Sequence, residues 1–164
     1  MANNHTRRIS MKKLIAIALV LVMTFAVTAC GGSDPDTVGT SLLNDFKANP
    51  AGSAQEIADR VITNDVIQFP AVTMPVEPGL LAGFDNAEIT GFEEGVMFSP
   101  MMGTIPFIGY VFTLADDADV EGFKQNLETN ANLRWNICTE AEEMHTAVVG
   151  NKVFFVMCPK TMEE

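Results

Sequence analysis

The 164 residues carry 21 acidic against 10 basic side chains, a net charge of −11, with 48% hydrophobic and 8% aromatic residues. So acidic a chain is repelled by phosphate backbones and anionic lipid head groups, which disfavours nucleic-acid binding. The length leaves room for one ordinary core once a targeting segment is set aside.

The first element in chain order is such a segment. Arg7, Arg8, Lys12 and Lys13 precede an apolar run from Leu14 to Val27, and no acid occurs before Asp34. Charge, apolar run and small residues follow in the order of a secretory signal. "MKK" at Met11 also reads as a more usual start than Met1. The run suits a signal better than a membrane span, which needs about 20 apolar residues.

Val27-Thr28-Ala29-Cys30 resembles the bacterial lipobox. The resemblance implies cleavage after Ala29 and a diacylglyceryl thioether, with palmitate-type acyl chains, on Cys30. An uncleaved anchor and a plain secreted protein are the alternatives. One acyl chain holds a protein only reversibly, whereas two or three hold it stably. Cleavage removes four of the ten basic residues and none of the acids. Attachment would then rest on the acyl chains at the extracytoplasmic face of a bacterial cell membrane, in the cell envelope.

Residues 30–40, beginning "CGGSDPDTVGT", cannot bury enough apolar area to order themselves and are predicted to form a flexible tether. Residues 41–164 are predicted to form a single domain. Helical spacing of Leu42, Leu43 and Phe46 is interrupted by "NPAG", after which Ser53 and Glu56 form a capping box opening a second helix. Residues 66–78 are β-branched but broken by Pro70, Pro75 and Pro78, as in an irregular edge strand. "GFDNAEIT" at Gly83 and "GFEEGVMF" at Gly91 repeat an opening that marks successive turns into strands.

Strands are expected over Ile89 to Phe98 and Ile105 to Leu114, joined by "SPMMGT". "DDADVEGFKQNLETN" reads as a helix with acids crowding its first turn and Val120, Phe123 and Leu127 as its apolar stripe. "HTAVV" and "KVFFVMC" around Gly150-Asn151 are a hairpin, and the unbroken apolar run of the second strand places it centrally. The fold class expected is α+β: a mostly antiparallel sheet of four to five strands with helices packed on one face.

With Cys30 assigned to lipid, Cys138 and Cys158 remain. Outside the cytoplasm they either pair or stand as two buried thiols. A metal site would use His145 with these cysteines and Glu142 or Glu143, but no ligand-spacing motif is present. Asp116, Asp117, Asp119 and Glu121 lack the spacing of a calcium loop and suit a helix start instead. No nucleophile motif occurs, so no catalytic residue, metal or other cofactor is expected. An envelope enzyme using Cys138, His145 or clustered carboxylates such as Glu93-Glu94 is the alternative.

Two segments stand out as contact candidates. In "NLRWNIC" the sole tryptophan, Trp135, lies beside Arg134 and between Asn132 and Asn136, a set able to take a carboxylate, sugar or peptide. The other reading has Trp135 in the core and Arg134 paired locally. In "FSPMMGTIPFIGY", Met101, Met102 and Phe107 are either an exposed apolar contact surface or core.

Together "EITGFEEGVMFSPMMGTIPFIGYVF", "NLRWNIC" and "GNKVFFVMCP" resemble a family of uncharacterised lipoproteins from anaerobic, mainly Gram-positive gut bacteria. The resemblance implies a membrane-tethered domain with no catalytic residues to carry over. The function expected is a non-catalytic binding or interaction module whose partner is an envelope protein, a peptide or a small molecule.

Overall fold

The structure, a computed structural model, describes residues 36–102 and 104–162. The lipobox residues Val27 to Cys30 and the proposed cleavage at Ala29 lie outside them. Among the described residues, no helix is long and apolar enough to cross a membrane.

Among the described residues, three helices and two sheets follow in the order α1 (Val38–Ala48), α2 (Ala54–Val61), β1 (Ala71–Pro75), β2 (Gly79–Leu80), β3 (Glu88–Ile89), β4 (Glu94–Pro100), β5 (Ile108–Thr113), α3 (Val120–Asn130), β6 (Glu143–Val149) and β7 (Lys152–Cys158). The main sheet is antiparallel in the order β1-β4-β5-β7-β6, and β2 pairs with β3 separately. The fold is α+β.

Each helix start is written in the chain. Thr37 caps α1 in a reciprocal box with Thr40, and Ser53 does the same for α2 with Glu56. The cap at Thr37 draws residues 38–40 into α1, so the last part of the predicted tether is helical. Asp119 caps α3 through the Gly122 N–H at 2.9 Å, which starts that helix at Val120 rather than among the acids before it. β1, with Pro75 in it, lies at the sheet edge, where a missing N–H is tolerated. Gly83 and Gly91 both have positive φ, and the phenylalanine after each is buried in the same cluster. The turn at Gly91 splits the predicted 89–98 strand into β3 and β4.

The run Val153 to Cys158 is fully buried because β7 lies between β5 and β6 and alternates its side chains between two cores. Phe154, Val156 and Cys158 join α1 and α2, with Phe154 stacked between Phe46 at 5.2 Å and Phe98 at 5.8 Å. Val153, Phe155 and Met157 join Phe123 and Leu127 of α3 and Phe84 and Phe92 of the preceding turns. Helices therefore cover both faces, α1 and α2 on one and α3 on the other, where one face was expected. The reason lies in β5 and β7, whose two apolar faces both need cover.

Gly109 in β5 is where the first core closes. A Cβ there would stand 2.1 Å from Cζ of Phe98, so the ring lies directly on the strand backbone.

Candidate functional site

Two groups of chemistry-bearing side chains form in this frame. The first is enclosed. Glu143 opens β6 and reaches the first turn of α1, where its Oε1 accepts the Gly39 N–H at 2.8 Å. Cys158 Sγ donates to the same oxygen at 3.6 Å, and Nε2 of His145 lies 3.2 Å from Oε2. A helix N-terminus favours a carboxylate in this position. Burial by itself would raise the Glu143 pKa, but the His145 imidazole, the Gly39 N–H and the Thr37 hydroxyl beside the carboxylate hold it below the usual value. Gly39 is required here, since an added Cβ would meet His145 Cδ2 at 2.3 Å.

Cys158 is wholly buried, and that burial, followed by the charge of Glu143, pushes its thiol pKa far up. The nucleophilic form of cysteine is the thiolate, so this environment works against attack on a substrate. His145 and Cys158 thus converge as the sequence allowed, but through a carboxylate that fastens α1 to the sheet. Cys138 is exposed on the α3–β6 connection; it and Cys158 are both free, so no bridge joins them. Among the described residues, no group of three or more His, Cys, Asp and Glu side chains is arranged to hold a metal ion. Two of the acids before α3 have local partners: Asp119 caps the helix, and Asp116 accepts from Asn151 Nδ2 at 3.3 Å.

The second group is open. Leu81, Ala82, Gly83, Asp85, Asn86, Asn132, Arg134 and Trp135 line a depression of about 370 Å³. It is built where the turn before β3 meets the connection after α3. The Asn132 N–H donates to the Gly83 carbonyl at 2.8 Å, and its side-chain amide donates to Asp85. The same side chain accepts the Arg134 N–H at 2.8 Å through Oδ1. Asn132 is therefore the pin that sets Arg134 and Trp135 beside Asp85. Asp85 has φ of 44°, an uncommon conformation for a residue with a side chain and one that Asp tolerates better than most. Gly83 has φ of 94°, and a Cβ there would meet Met157 Cε at 2.7 Å.

Trp135 is half-buried, packed on the α3-side core while lining the depression, so it is neither a core plug nor a free ring. The Arg134 guanidinium pairs with Glu140 at 3.6 Å, and their side chains are 74% and 54% exposed. Such exposed pairs contribute about 0–1 kcal/mol, so an anionic ligand group competes with Glu140 on nearly equal terms. Asn132, Arg134 and Trp135 were visible as a segment. Asp85 and Asn86 were not, and the repeated "GF" turn that carries them was their only mark.

The methionine loop divides. Met101 and Met102 are 59% and 83% exposed, whereas Phe107 is buried against Phe69 at 5.1 Å and Phe98 at 5.9 Å. Phe107 is thus core and not a contact residue, because β5 begins just after it and its side chain falls on the α1–α2 face. No family model, curated protein or solved structure matches this chain.

Proposed function

We propose that the chain is a bacterial lipoprotein, acylated at Cys30, whose extracytoplasmic domain is a non-catalytic module binding a small polar ligand or peptide end in the Arg134–Trp135 depression. The observation carrying the binding role is that Trp135, Arg134 with its exposed guanidinium, Asp85 and Asn86 line one open depression. Stacking supplies contact area, while fork-like donors orient a carboxylate. The burial of Cys158 and its bond to Glu143 weigh against the envelope-enzyme alternative at His145. The lipobox resemblance supports the anchor.

Trp135 is the sole tryptophan, so its emission reports the depression directly. Titration with a panel of short peptides, amino acids and sugars is expected to give a saturable change for at least one of them. Arg134→Ala should weaken that binding by about 10- to 100-fold, the equivalent of losing one charge-assisted hydrogen bond. A panel-wide absence of saturable change, or equal affinity in Arg134→Ala, contradicts the reading.

A further inference from the structure

We infer that the end of the domain bearing Met101, Met102 and Ile137 rests on the lipid bilayer, with these side chains in the interfacial layer; the inference rests on acylation at Cys30. Their exposures are 59%, 83% and 94%, unusual for three large apolar side chains at one end of a small domain. Met74 and Leu80, the other exposed large apolar residues among those described, belong instead to β1 and β2.

The three share an end of the sheet with the point where the chain enters it. β4 and β7 finish there, at Pro100 and Cys158, and β5 and β6 begin there, at Ile108 and Glu143. The loop holding Met101 and Met102 is joined to the loop holding Ile137 by Thr139 Oγ1, which donates to the Thr104 carbonyl at 2.8 Å. The start of α1 is at the same end, because the Val38 N–H donates to the Lys160 carbonyl at 3.0 Å just beyond β7. Two neighbouring depressions connect these places. Asp36 and Val38 share one with Gln68 and Met162, and those two residues share the next with Ile105 and Pro106.

Cys30 precedes Asp36 by six residues. Even fully extended, six residues reach only about 20 Å. An acyl anchor so close to Asp36 therefore holds this end of the domain within about 20 Å of the lipid. Methionine side chains adapt to an uneven apolar environment, and apolar patches on a soluble surface mark contacts. Glu140 and Glu142 are exposed on the same connection as Ile137. The contact is therefore apolar and needs no anionic lipid, so a phosphatidylcholine surface suffices.

The protein carries its own probe position. Cys138 adjoins Ile137 and is exposed, while Cys158 is buried. The acylated full-length protein, its mass verified, would be spin-labelled at Cys138 and reconstituted into phosphatidylcholine vesicles. Collision with oxygen and with a water-soluble nickel chelate would then be compared. A Cys138→Ser/Asp117→Cys variant places the same label at the opposite end, where Asp117 is exposed near the β6–β7 turn. The expected result is a several-fold higher oxygen-to-nickel ratio at position 138 than at 117, falling toward the 117 value in Met102→Asp and further in Met101→Asp/Met102→Asp/Ile137→Asp. Equal, water-like ratios at both positions in acylated protein overturn the inference while leaving the anchor intact. A full-length mass without acyl chains overturns both. Position 138 becoming shielded only when envelope proteins are added assigns the patch to a protein partner and also overturns it.

Discussion

Phe154→Ala is expected to lower the unfolding free energy by about 3–5 kcal/mol, a large part of the 5–15 kcal/mol typical of a domain. The ring is fully buried in β7 and stacked on both Phe46 and Phe98, with interplanar angles of 19° and 23°. Its loss removes transfer free energy and also leaves a cavity that the sheet cannot close, since Phe98 is itself pressed on Gly109. α1 and α2 lean on this stack, so the helices should loosen before the strands. Urea denaturation followed by circular dichroism measures the loss. A cost under 1 kcal/mol would mean that Phe154 does not unite the α1–α2 face with the sheet.

Glu143→Ala is expected to cost about 2–3 kcal/mol at neutral pH, because the Gly39 N–H and the Cys158 thiol lose a charged acceptor in a nearly enclosed place. Glu143→Gln keeps the shape and loses the charge, so it should cost less and mainly alter the pH dependence. The folded state holds the Glu143 pKa below its ordinary value of 4.5. Its contribution is therefore complete above that pH and disappears as pH falls through the lowered folded value. Wild type and Glu143→Gln should differ in stability at pH 7 and approach each other as pH falls from 4.5 through the lowered folded value. A gap that stays constant down to acid pH would show that the carboxylate charge contributes nothing to seating α1.

Much of the architecture was legible because it is local. Ser53 with Glu56 marks a helix start through a side-chain oxygen that reaches only three residues along the chain, whereas the equivalent caps at Thr37 and Asp119 lie inside segments that read as tether and as helix. Gly150 has φ of 63° while Asn151 does not turn positive, the glycine-first pattern of a tight hairpin. The apolar run of β7 announced a central strand. What it did not announce is which elements would cover each face, since Phe123 and Leu127 fit either side of a sheet equally well. Choosing between the faces depends on pairing order, and β6 joins β7 at the edge only after α3 has crossed the sheet.

The candidate site was half legible for a similar reason. Arg134 and Trp135 stand out as rare residue types next to each other. Asp85 joins them across 47 positions through Asn132, and that contact depends on how two turns meet. The fates of Met102 and Phe107 also differ within one short apolar segment, because Phe107 directly precedes β5 and turns into the first core while Met102 lies in the loop before it.

Intact mass with detergent-phase partition decides whether the domain is carried on the proposed lipid anchor at Cys30. Wild type made in a bacterial host is expected to begin at Cys30 with two or three acyl chains and to enter the detergent phase, with Cys30→Ser accumulating as unprocessed precursor. A wild type of full-length, unacylated mass would rule out the lipid anchor and turn the apolar run from Leu14 to Val27 into a membrane anchor in its own right.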